Sequence, residues 1–67
     1  MDPEDEEDLR GQILEVLKES PNPVSARYVW AQIDDSDIPL KDVVLVMERM
    51  QDEFLLVGSP VKLYTLA

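Results

Sequence analysis

The chain has 67 residues, with 15 Asp or Glu against six Lys or Arg, a formal net charge of -9, and neither Cys nor His. That length makes one domain at most, burying about 60% of its unfolded surface. The missing residue types exclude disulfides, thiolate metal sites and histidine acid–base chemistry, and so small a domain has little room for a water-excluded catalytic cleft. A non-enzymatic protein without cofactor, metal or small-molecule substrate is expected.

Charge is unevenly spread. Residues 1–8 hold six acids (Asp2, Glu4, Asp5, Glu6, Glu7 and Asp8) and no base, so the remainder carries only -3. This stretch reads as an acidic N-terminal arm or as a first helical turn, where acids favour the helix dipole. No apolar run approaches the roughly 20 residues that span a bilayer. The acidic start is the reverse of a signal peptide, so no membrane association and a cytoplasmic location are expected.

The first helix is expected from about Glu4 to Glu19, with Pro3 in its first turn and Asp2 as a possible cap. Leu9, Ile13, Val16 and Leu17 recur at helical spacing, and Leu14 widens the stripe. Ser20-Pro21-Asn22-Pro23 stops it. Val24 is a candidate short strand, and Ser25 caps a second helix over Ala26 to Ile33, with Ala26, Val29, Trp30 and Ile33 on one face. Asp34-Asp35-Ser36-Asp37 reads as a turn with several capping groups. It lacks the glycine and the distant glutamate of a calcium loop.

A third helix is expected from Pro39 or Leu40 to about Asp52, with Leu40, Val43, Val44, Met47 and Met50 as its core stripe. Phe54 to Val57 and Val61 to Leu66 are rich in branched and aromatic residues, with Gly58-Ser59-Pro60 between them. They predict a hairpin whose inward residues are Leu55, Val57, Leu63 or Tyr64, and Leu66. The fold class is therefore α+β, mainly α.

The order helix, short strand, helix, turn, helix, hairpin resembles the winged helix-turn-helix family. Ile13-Leu14 with Leu17 looks like that family's first-helix core, and Val24-Ser25-Ala26 leading to Val29 and Ile33 like its second-helix entry. Met47 and Met50 followed by Leu55-Leu56-Val57 resemble its third helix entering the first wing strand. Leu63-Tyr64-Thr65-Leu66 looks like the return strand. The resemblance implies a winged-helix domain over residues 9–67. Two residues depart from the pattern. Phe54 stands where many members place a glycine, so either some other residue takes the left-handed role that ends the third helix or the helix ends differently. Trp30 stands where a small residue is common, so it must displace core or reach the surface. The acid-rich composition also resembles that of proteins from salt-loving archaea and of small acidic viral proteins.

The resemblance implies DNA binding through the third helix. The residues argue otherwise. DNA affinity rests largely on Lys and Arg neutralising phosphates, yet Asp37 to Glu53 holds two bases against five acids. The hairpin offers only Lys62. Val43-Val44-Leu45-Val46-Met47 is apolar all round a helix, so Leu45 and Val46 are expected to face outward and meet a partner. Tyr28 and Trp30 could extend that patch.

The first reading is thus a small module for protein–protein contact or self-association in a transcription or nucleic-acid-related assembly, with Tyr28, Trp30, Leu45 and Val46 as contacts. Its rival is a DNA-binding regulator using Arg27, Lys41, Arg49 and Lys62. A third is an acidic DNA mimic that docks on a basic groove.

Overall fold

The computed structural model describes residues 2–67. In chain order it contains α1 (Pro3–Glu19), β1 (Val24–Ser25), α2 (Ala26–Ile33), α3 (Leu40–Asp52), β2 (Leu56–Gly58) and β3 (Leu63–Leu66). The strands form one antiparallel sheet in the order β1-β3-β2. This mainly helical α+β architecture is compatible with the layout that the element order predicted.

Helix α1 includes the acidic stretch from Pro3 onward. Asp2 precedes it and its carbonyl accepts from the Glu6 amide at 2.9 Å, but its side chain makes no capping bond. Leu9, Ile13 and Leu17 are buried, and Leu14 and Val16 pack beside them. Ser25 caps α2 as its sequence position suggests: the Tyr28 amide donates to Ser25 Oγ at 3.1 Å. Pro39 takes the capping position of α3 rather than its first turn, and its carbonyl accepts from the Asp42 amide at 3.0 Å.

The core stripe of α3 lies rotated from the expected one. Val43, Val46, Met47 and Met50 are buried, while Val44 is only partly covered. Val46 is 1% exposed, which removes it as a contact residue. Five consecutive apolar residues leave the rotation of a helix undefined. It is set here by what surrounds α3, because α1, α2 and β2 all pack on it. Leu45 does face outward.

The first hairpin strand, β2, is displaced by one residue from its expected phase, whereas β3 keeps the expected Tyr64 and Leu66 inside. Leu56 and Tyr64 are buried, and Leu66 packs against the core. Leu55 and Val57, expected inside, are exposed. A one-residue slip exchanges the two faces of a strand, and the cause is the end of α3. The Leu55 amide donates to the Met50 carbonyl at 2.9 Å and the Phe54 amide to the Gln51 carbonyl at 3.0 Å. This bond pair is a Schellman motif, which needs a left-handed residue between helix and strand. Phe54 fills that role itself with φ 64°, a non-glycine residue in the left-handed position. Glu53, Phe54 and Leu55 form the turn, and Leu56 is the first residue to reach the sheet.

No buried polar or charged residue lies among the described residues, and no buried side-chain nitrogen or oxygen lacks a hydrogen-bond partner. The core is therefore held by apolar contact, without a polar network.

A left-handed backbone costs a non-glycine residue roughly 1–2 kcal/mol, and glycine returns part of the gain through the unfolded chain. Phe54 is 86% exposed, so its removal leaves no cavity. Phe54→Gly should raise stability by about 0.5–1 kcal/mol, read as a higher urea midpoint at unchanged slope.

Candidate functional site

The outward face of α3 is defined by Lys41, Leu45, Glu48 and Asp52, all exposed and spaced four, three and four residues apart. That spacing lines them along one side of the helix, opposite the buried stripe. Leu45, 46% exposed, is the one apolar residue of the stripe. One base and two acids surround it. As a surface for phosphates this face is poor. As a surface for a protein it offers an apolar centre and a charged margin.

The structure takes Arg49 out of the basic set. Its guanidinium pairs with Glu6 of α1, and Glu6 also pairs with Arg10 at 3.2 Å. Arg10 in turn bonds Glu53 just beyond α3. This alternating cluster joins the start of α1 to the end of α3. Among the described residues Arg27, Lys41 and Lys62 enter no ion pair. They lie in the first turn of α2, the first turn of α3 and the turn between β2 and β3. Lys41 and Arg49 sit eight positions apart on α3, about 12 Å along its axis.

The ion cluster shifts two groups. The hydrogen bond from Arg10 holds the Glu53 carboxyl below its ordinary range, aided by the charges of Arg10 and Arg49. The same hydrogen bond raises the Arg10 pKa.

A shallow groove between α1 and the segment before α3 is lined by Asp5, Asp8, Leu9, Asp35, Asp37 and Asp42, among others. The acidic turn and the acidic start of α1 thus converge on one surface. Among the described residues no group of three or more His, Cys, Asp or Glu could hold a metal ion. The Asp35 carboxylate accepts from the Asp37 amide at 2.9 Å, and Asp34 ends α2 in a left-handed conformation, φ 52°. Both act as turn-forming groups.

The aromatic candidates separate. Trp30 is partly buried against the core, and its Nε1 donates to the Ile38 carbonyl at 2.7 Å. This ties α2 to the turn before α3. Tyr28 is exposed and lies with Val16, Glu19 and Ser20 at the end of α1. Leu45, on the outer face of α3, therefore has neither Val46 nor Trp30 as a freely exposed neighbour.

Sequence reasoning missed the Glu6–Arg10–Glu53–Arg49 cluster. The i,i+4 spacing of Glu6 and Arg10 was a readable signal for one pair, but the links to Glu53 and Arg49 span 43 residues and depend on how the helices cross. It also missed exposed Phe54.

No protein-family model, characterised protein or solved structure was found to match the chain. No helix among the described residues is long and apolar enough to cross a membrane.

The lowered Glu53 pKa makes a pH prediction. Because the folded carboxyl is the stronger acid, its contribution is present above the ordinary value of 4.5 and is lost as pH falls through the lower folded value. Glu53→Gln should remove that part, so the stability difference between wild type and variant should shrink as pH drops from about 5 to 3. Paired urea titrations across this window measure it. Relief of the general negative charge on acidification is common to both proteins and cancels.

Proposed function

We propose that the chain is a winged-helix module that works by contacting another protein, in an assembly concerned with transcription or nucleic acid. The element order and the β1-β3-β2 sheet support the winged-helix reading, as does the resemblance of the runs around Val24, Met47 and Leu63. The observation that carries the functional reading is the outer face of α3. In that fold class this face would enter the major groove, yet here it presents Leu45 flanked by Glu48 and Asp52, and Lys41 is its only base. Arg49 is occupied by Glu6. DNA binding driven by phosphate neutralisation finds little purchase on such a surface.

A second reading has its own support. The groove lined by Asp5, Asp8, Asp35, Asp37 and Asp42 gathers carboxylates from two parts of the chain on one side. Such a surface suits docking on a basic groove, where the chain would stand in for nucleic acid.

Leu45→Asp tests the first reading. The side chain is half out of the core, so the variant should fold with near wild-type stability, whereas Val46→Asp should not fold. Sedimentation should show Leu45→Asp losing a complex that the wild type forms. A salt-titrated gel shift supplies the opposite outcome: DNA retained at about 150 mM salt, and released when Arg27, Lys41, Arg49 and Lys62 become Gln, would sink the protein-contact reading in favour of a DNA-binding regulator.

A further inference from the structure

The core lies on one side of the sheet. Leu56 and Tyr64 are buried, Val24 and Leu66 pack against the core, and a Cβ on Gly58 would meet the Gln51 side chain of α3 at 2.8 Å. Side chains alternate along a strand, so Val57, Leu63 and Thr65 point the other way, with Ser25 at the rim. The register sets Val57 beside Thr65 and Leu63 beside Ser25. Val57 is 54% exposed. Leu55, also exposed, stands just before β2, and its carbonyl accepts from the Ala67 amide at 3.2 Å. None of these residues is charged, in a chain of which 31% is.

An antiparallel sheet with one wet face alternates apolar and polar residues, whereas strands covered on both faces read as nearly continuous apolar runs. Phe54-Leu55-Leu56-Val57 and Leu63-Tyr64-Thr65-Leu66 are of the second kind, although the chain itself covers only one face. Four of the six large apolar residues that lie exposed, Phe54, Leu55, Val57 and Val61, fall between positions 54 and 61.

We propose that the outer face of this sheet packs on the same face of a second copy, with the strands of the two sheets running antiparallel about a two-fold axis over the Val57–Thr65 pair. Charge selects both the occupant and its direction. An uncharged face lets two acidic chains meet without bringing carboxylates together. Asp52 and Glu53, where α3 ends, lie at one end of the strands, and Lys62 lies in the turn at the other. Among the described residues Lys62 enters no ion pair. Antiparallel stacking carries each Lys62 toward the other copy's two acids, whereas parallel stacking would set base over base and acid over acid. The rim is thus complementary to its own two-fold image. The area also suffices. A standard interface buries roughly 800 Å² a side, about a sixth of the 4643 Å² surface of this chain. One side of a body measuring 27 × 22 × 19 Å is of that order. Each sheet already carries helices on its inner face, so the isologous contact closes at two copies.

The surface is separate from Leu45, and the experiment keeps the two apart. Sedimentation velocity should show a wild-type dimer that tightens in about 1 M KCl, where the net repulsion between two acidic chains is screened. Val57→Lys and Val57→Glu change an exposed side chain, so both should keep a near wild-type urea midpoint. Each alone should associate at least about tenfold more weakly, because like charges face one another across the axis, and the two should form a heterodimer when mixed. At low salt Lys62→Glu should weaken the dimer severalfold. Leu45→Asp should leave it intact. A wild type that stays monomeric to about 1 mM overturns the proposal and leaves the face to a different protein. A folded Val57→Lys chain that dimerises as the wild type does overturns it too, and a Lys62→Glu chain that dimerises more tightly overturns the antiparallel stacking. If Leu45→Asp dissociates the dimer and Val57→Lys does not, self-contact runs through α3. The sheet-face proposal then fails while the protein-contact reading stands.

Discussion

The structure depends on α3 being wrapped. In so short a chain one helix can be surrounded only if several other elements each contribute a side, and α1, α2 and β2 do. Met47 and Met50 reach full burial in this way. Their unbranched, flexible side chains fill the irregular space between a helix pair and a small sheet. Single-domain stability is roughly 0.05–0.15 kcal/mol per residue, so loss of any one wall removes a large share of the total.

The helices were legible in the sequence because each carries a stop and a start of known chemistry. Ser20 to Pro23 ends α1, Ser25 opens α2, and Pro39 opens α3. What was not legible was rotation and phase. The run Val43 to Met47 fits several orientations, and only the positions of its neighbours choose the one that buries Val46 and leaves Leu45 outside. The phase of β2 turned on a backbone choice at Phe54 that composition disfavours. An aromatic residue gives no local sign that it will adopt a left-handed conformation, so the turn took in Phe54 and Leu55, which the pattern had assigned to the strand. Of the contact candidates, Leu45 and Tyr28 lie exposed, Trp30 is engaged by the Ile38 carbonyl, and Val46 belongs to the core.

Electrostatics follow from how α1 lies across the end of α3. Most of the acids at the start of α1 face solvent, but Glu6 turns inward between Arg10 and Arg49. The cluster uses two of the six basic residues of the chain on internal pairing, which leaves the outer surface more one-sided than the formal charge alone conveys. Exposed ion pairs add little stability in themselves. Their larger effect is on what the surface can attract.

A core without buried polar groups has a consequence beyond stability. Hydrogen-bond networks inside a protein demand particular residues at particular places, because every donor needs its acceptor. Apolar packing demands only volume and pattern, and such cores accept many simultaneous exchanges among Leu, Ile, Val and Met. Lineages built on this interior can drift far in sequence while the fold persists. The record of ancestry in such a chain is then carried by shape more durably than by letters.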